Sequence, residues 1–123
     1  MLSKWGTYPW FSEHGYDKIH PEDLENFMKE ANNTKVFKCV DEGINYITLK
    51  YQDKLYRVKR DLYKGIPKPK FQFGQKVKII DKKSDNITIT DIMWHYEKKE
   101  HFYFVKVDGK KKSKRYFEQE FNT

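Results

Sequence analysis

Residues 71–121, FQFGQKVKIIDKKSDNITITDIMWHYEKKEHFYFVKVDGKKKSKRYFEQEF, decide the fold class. Apolar and polar residues alternate through 75–81, 86–96, 101–108 and 113–117, the period of two that sends successive side chains to opposite faces of a strand. Between these runs stand KKSD, EKKE and GKKK, short polar segments of the kind that turn one strand back along the last. Four strands joined by hairpins follow, closed by EQEF, in which Phe121 is an apolar anchor just past a charged turn.

The same scheme stands upstream in shorter form. Residues 35–40, 44–51 and 54–59 alternate in the same way and are separated by Asp-Glu-Gly and Gln-Asp-Lys turn signals, so three short antiparallel strands are expected. In the middle run Ile44, Tyr46, Thr48 and Lys50 face one way, and Asn45, Ile47, Leu49 and Tyr51 the other. Residues 67–70, Pro-Lys-Pro-Lys, read as a linker. YRVKRDL (56–62) and RYFEQEF (115–121) each carry a strand end, charged residues and an apolar anchor, which places Leu62 opposite Phe121 and suggests a duplication.

Before the strands come an aromatic arm and one helix. Trp5, Tyr8 and Trp10, with Gly6 and Pro9 among them, suit an irregular plug that packs on the core; their alternative use is as a partner-binding anchor. In HPEDLENFMKEA, Pro21 fits a first-turn position, and Glu22 and Asp23 complement the positive helix terminus. Leu24, Phe27, Met28 and Ala31 follow at helical spacing, so a short amphipathic helix is expected, ending near Asn32 and Asn33. The domain reading is therefore 1–34 arm and helix, 35–66 a first β unit, 67–70 linker and 71–123 a second β unit, packed as one compact whole. The fold class is mainly β with one short N-terminal helix.

The chain has 123 residues, a net charge of +7 and 17% aromatic residues. That length leaves no room for a separate catalytic domain, and the aromatic rings supply the core that a 37% hydrophobic content would otherwise leave thin. No run approaches the roughly 18 apolar residues of a membrane span, and the N-terminus lacks a signal-peptide pattern, so the reading is cytoplasmic with no membrane partner. Cys39 is the single cysteine, which excludes an intramolecular disulfide; its apolar flanks predict a small core residue on a strand.

The run from Phe71 resembles the SH3-like barrels of the Tudor and KOW kind: a hydrophobic-x-x-Gly-x-x-Val opening, a strand holding Ile and Trp, a hairpin, and a terminal aromatic-acidic-hydrophobic turn. Residues 35–66 resemble a shorter, degenerate copy, which implies a tandem or elaborated SH3-like small barrel. The whole chain also resembles small bacterial proteins that share the WGxYPWF opening, the IHPEDL helix start and the GKKKSKRYF ending. That resemblance implies a bacterial cytoplasmic setting and brings no activity with it. SH3-like domains that bind proline-rich or methylated segments use exposed aromatic residues, for which Trp94, Tyr96, Tyr103 and Tyr116 are the candidates. The acidic loop that assists recognition of basic peptides is replaced here by KKSD and EKKE.

Charge divides unequally. Residues 1–66 hold 11 basic and 10 acidic groups, net +1, and residues 67–123 hold 14 and 8, net +6. Lys106, Lys110, Lys111, Lys112, Lys114 and Arg115 surround one hairpin turn and would line a positive face for phosphates, with neighbouring rings as platforms for unpaired bases. Lysine-rich edges also protect strands from aggregation, and 22 Lys against 3 Arg supplies few of the planar forks that read bases. His95 and His101 flank one turn with Glu97 and Glu100 beside them, the elements of a two-His-one-carboxylate metal site should they converge; HExxH and HxH spacings are absent, and no metal or cofactor is expected. With no GxSxG, no P-loop and six scattered glycines, no catalytic set is present. The leading expectation is a non-catalytic module for protein recognition, immunity-like or accessory; the alternative is non-specific nucleic-acid binding through the lysine-rich hairpin.

Overall fold

The structure, a computed structural model, describes residues 2–122. The chain forms two compact units, Met1–Lys68 and Pro69–Thr123, divided inside the 67–70 segment. It is mainly β, with one α-helix and two antiparallel sheets.

In the first unit β1 (Trp5–Thr7), β2 (Phe37–Glu42), β3 (Ile47–Tyr51), β4 (Lys54–Val58) and β5 (Lys64–Gly65) form a sheet in the order β4-β3-β2-β1-β5. The three middle strands follow the alternation: Ile47, Leu49 and Tyr51 are buried, and Lys50 is exposed. The arm departs from expectation, because Trp5–Thr7 is a strand inside the sheet, paired to β2 on one edge and to β5 on the other. Three residues are too few to display a period, and both partners lie some thirty or more residues away, so no local signal announces the pairing. Gly6 faces Phe37 on one side and Gly65 on the other. A Cβ there would stand 2.5 Å from the Lys64 carbonyl oxygen and 2.5 Å from the Tyr63 ring, so only glycine fits.

The helix α1 (Leu24–Glu30) buries Phe27 alone of its expected stripe; Met28 is exposed. Phe27 meets Tyr8 and Tyr56 edge-on at 5.8 and 5.4 Å, so the helix is fastened through one ring. The second fastening is ionic. Asp23, rather than capping α1, accepts from the Arg57 backbone N–H at 2.8 Å and from its guanidinium at 2.8 and 3.1 Å. These bonds hold the Asp23 carboxyl below the usual carboxylate range. A lowered folded value gives stability that is present above the unfolded pKa of about 3.9 and is lost as pH falls through the folded value. Asp23→Asn should therefore lower the melting temperature near neutral pH, with the difference from wild type fading in thermal melts taken toward pH 2. A difference that stayed constant down to that pH would assign the effect to packing.

Cys39 is on β2, as expected, but half-buried rather than in the core. The register slips between Cys39 and Asp41, and this bulge turns the end of β2 outward with Val40 exposed. Burial still pushes the Cys39 thiol up, away from thiolate reactivity.

The second unit is organised by the hairpin of β6 (Ile87–His95) and β7 (Glu100–Val107). Two short strands, β8 (Lys110–Lys111) and β9 (Tyr116–Phe117), both pair with β7. Asp108 and Gly109, at φ 51° and 82°, make the two-residue turn into β8. The run 75–81, expected as a strand, forms only isolated bridges, Lys76 with Thr88 and Ile79 with Phe121. Its backbone divides its bonds: Val77 donates to Ile87, whereas Ile80 donates to Glu120 and Lys78 accepts from Asn122. Val77, Ile79, Ile87, Ile92, Tyr103 and Phe121 belong to the core of this unit.

Neither sheet closes on itself, and the strand orders differ, but the two units end alike. In each, a 3₁₀ turn, Arg60–Leu62 or Glu118–Glu120, precedes a last segment that pairs with the first. The residues closing those turns are Tyr63 and Phe121, whose N–H groups bond Arg60 and Glu118. Tyr63, and not Leu62, is thus the counterpart of Phe121, one position from the correspondence read in the sequence.

Candidate functional site

The residues singled out on the second unit are sorted by the pairing register. Lys106 stands directly opposite Lys111 and Thr88, and Thr88 opposite Lys76, so three lysines and a threonine form one row across the sheet. Directly paired residues share a face. The next row, Ile87 with Val107, belongs to the other face, where Ile87 is buried in the core, so the lysine row points outward. Lys110 is opposite Val107 and so lies on the face away from Lys111. Lys114 covers the Tyr116 ring at 4.9 Å, and Arg115 stands over Phe102 and Phe117 at 5.3 and 5.6 Å. Lys112 is exposed and bonds Val105 through its backbone N–H. The six basic residues of the hairpin are therefore spread over both faces, and the outward row includes Lys76, thirty residues upstream.

The aromatic candidates form no exposed platform. Trp94, Tyr103 and Tyr116 are buried, and only Tyr96, 36% exposed, reaches solvent. Tyr103 donates to the Glu118 carboxylate at 2.6 Å and accepts from the Lys70 N–H at 3.0 Å. Burial first, and that carboxylate second, push its phenol far above the ordinary range. Alternation shows that two faces exist without showing which is covered, so the sequence does not tell these rings from surface groups.

His95 and His101 do not converge. His95 pairs with Glu100 and lies near Phe117 and Phe102, whereas His101 pairs with Trp94, packs on its ring at 4.9 Å and is buried. Adjacent rows of one hairpin face opposite ways, so the two imidazoles are on opposite sides of the sheet. Among the described residues no group of three or more His, Cys, Asp or Glu gathers as a metal site, and no helix is long and apolar enough to cross a membrane.

The first unit holds a groove of about 360 Å³ between the arm and α1, lined chiefly by Tyr8, Trp10, Phe11, Phe27, Met28 and Ala31. Here the aromatic arm, weighed in the sequence as one block, divides. Trp5 and Tyr8 are core, Tyr8 donating to the Lys59 carbonyl at 2.6 Å, whereas Phe11 is 49% exposed, with Tyr16 at 52% and Met28 at 51%. The groove wall is fixed from within: Trp10 donates its indole N–H to Gly15 O at 2.9 Å and packs on Phe27 and Tyr16. The Phe11 turn is pinned by a bond from the His14 N–H to Phe11 O at 2.9 Å and one from the Phe11 N–H to the His14 ring at 3.0 Å. Met28 was legible only as part of a core stripe; its role at the rim follows from the arm that packs beside it.

Comparison with known proteins gives one match. The model of a family described as a family of unknown function (DUF6960) covers residues 1–122, and the chain belongs to that family. No curated protein and no solved structure matches it.

Proposed function

Within this family we propose that the chain is a non-catalytic recognition protein of the bacterial cytoplasm, immunity-like or accessory, built from two SH3-like units. Support for the SH3-like reading comes from the way both units end, the last segment returning to pair with the first after a single 3₁₀ turn. The observation that carries the function is the groove beside α1: large apolar side chains, Phe11 and Met28, are exposed at the rim of a cleft whose walls are held by their own hydrogen bonds. Isolated exposed apolar residues are ordinary, whereas a rigid cluster of them is the form a protein-binding anchor site takes.

The partner chemistry follows from charge. Residues 11–30 hold six carboxylates (Glu13, Asp17, Glu22, Asp23, Glu25, Glu30) against two lysines (Lys18, Lys29). Glu13, next to the groove-lining Ser12, forms no ion pair among the described residues, so a basic segment is favoured at this rim. The occupant is a protein segment with a large apolar side chain flanked by Lys or Arg.

Selection from a random peptide-display library with the full chain as bait tests this. The expected enrichment is an apolar residue with basic neighbours. Phe11→Ala/Met28→Ala should weaken the selected peptide at least about tenfold per anchor, because each exposed side chain buried on binding contributes about 1.5–3 kcal/mol. No enrichment, or binding indifferent to that double variant, would overturn the proposal.

A further inference from the structure

The outer face of the second unit carries a charge arrangement that recognition at the groove does not use. Lys76, Lys106 and Lys111 stand in one row with Thr88, at a strand spacing of about 4.8 Å, so the row spans roughly 14 Å. All three lysines are exposed, and none forms an ion pair among the described residues. Lys106 and Lys111 are directly opposed, a like-charge pairing that destabilises a sheet unless something compensates it. The carboxylate at the adjoining turn, Asp108, is engaged by the Ser84 hydroxyl at 2.8 Å.

Farther along the same face the charge is held in place. Met93, Phe102 and Phe117 form a second apolar cluster, on the side of the sheet opposite Ile92, Tyr103 and Tyr116. Arg115 covers the rings of Phe102 and Phe117, and the Lys98 ammonium lies 4.4 Å from the centre of the Phe117 ring. Cations seated on rings keep a defined position and remain available to an anion on their open side. The outward face thus sets three lysines without an ion pair and two ring-seated cations against two carboxylates, Asp91 and Glu100, which share it, and its balance is positive.

We propose that this face binds the phosphodiester backbone of duplex nucleic acid without reading its sequence. The charge complements a polyanion, and lysines act as point charges for phosphate where planar arginine forks would be needed to read bases. Single strands are disfavoured because Phe102 and Phe117 lie under cations and Trp94, Tyr103 and Tyr116 are in the core, so that Phe104, itself partly buried against the apolar cluster, is the phenylalanine this face leaves for a base to stack on.

The test is fluorescence anisotropy of a labelled 25-base-pair duplex, as DNA and as RNA, titrated with the full chain at several salt concentrations. With four or five phosphate contacts, affinity should fall about a hundredfold or more between 50 and 200 mM salt. Lys106→Gln/Lys111→Gln should weaken binding at least about tenfold and shallow the salt slope by about two, with the melting temperature unchanged or raised because a repulsion is removed. Lys50→Gln/Lys64→Gln, which removes the same charge from the first unit, should change affinity less than about twofold. Equal slopes for DNA and RNA support recognition of the shared backbone. The proposal is overturned by no binding at 50 mM salt, by equal losses in the two double variants, by tighter binding of a single strand of the same length, or by binding to anionic lipid vesicles without binding to duplex.

Discussion

Tyr103→Ala is expected to lower the stability of the chain by about 3–5 kcal/mol, the cost of a large cavity in a packed core. The ring is fully buried and is met by Phe71 at 5.3 Å and by Phe121 edge-on at 5.7 Å. Its hydroxyl joins the 3₁₀ turn to the chain entering the unit, donating to Glu118 while Lys70 donates to it. Tyr103→Phe keeps the packing and removes this junction, so it should cost less, about 1–3 kcal/mol, the penalty for leaving a polar partner unsatisfied. Denaturant unfolding of the three proteins measures both values. Duplex binding by Tyr103→Phe, at temperatures well below its melting midpoint, should match wild type. A Tyr103→Phe protein that unfolded normally yet lost binding would assign its hydroxyl a part in duplex recognition that burial in the core denies it.

Gly6→Ala has the next largest expected effect, about 3 kcal/mol of destabilisation, at the upper end of the usual range for overpacking. The added methyl meets two obstacles of different kinds, the Lys64 carbonyl oxygen and the Tyr63 ring. The ring is itself tied down, its hydroxyl donating to Ser3 O at 2.8 Å. Tyr63→Ala in the Gly6→Ala background should therefore recover only part of the loss, since the backbone oxygen stays. A double-mutant cycle from thermal melts gives that coupling directly. Full recovery would mean that the sheet can move away from residue 6, and an unchanged melting temperature in Gly6→Ala alone would contradict the placement of β1 between β2 and β5.

The hairpins were legible because alternation is a local property. Ile87, Ile89, Ile92 and Trp94 on one strand and Tyr103 and Val105 on the next announce a covered face, and Asp108-Gly109 announces the turn into β8. The helix was legible from Phe27 and its neighbours. Other features are set by pairings between distant residues. Trp5–Thr7 is a strand because residues 37–38 and 64–65 flank it, and Lys76 joins the lysine row because it pairs with Thr88. The lysines of 106–115 were visible as a cluster, but which of them share a face depends on a register that composition does not carry. The groove is of the same kind: Phe11 and Met28 are seventeen positions apart, and only the packing of Trp10 on Phe27 brings the arm beside α1.

These surfaces explain the coexistence of high charge and high aromatic content. In the first unit Lys18, Glu25, Lys29, Glu30, Lys54 and Arg57 are held in ion pairs, and the exposed aromatic rim, with Glu13 beside it, stands open to a partner. In the second unit most rings are buried or lie under cations, and the lysines face solvent. The most direct test of recognition at the groove is residue-resolved NMR of the isotope-labelled chain titrated with the library-selected peptide. Shift changes centred on Trp10, Phe11, Met28 and Ala31 are the expected result. Changes centred instead on Ile44 and Lys59–Asp61, or on the lysine row of the second unit, would contradict it.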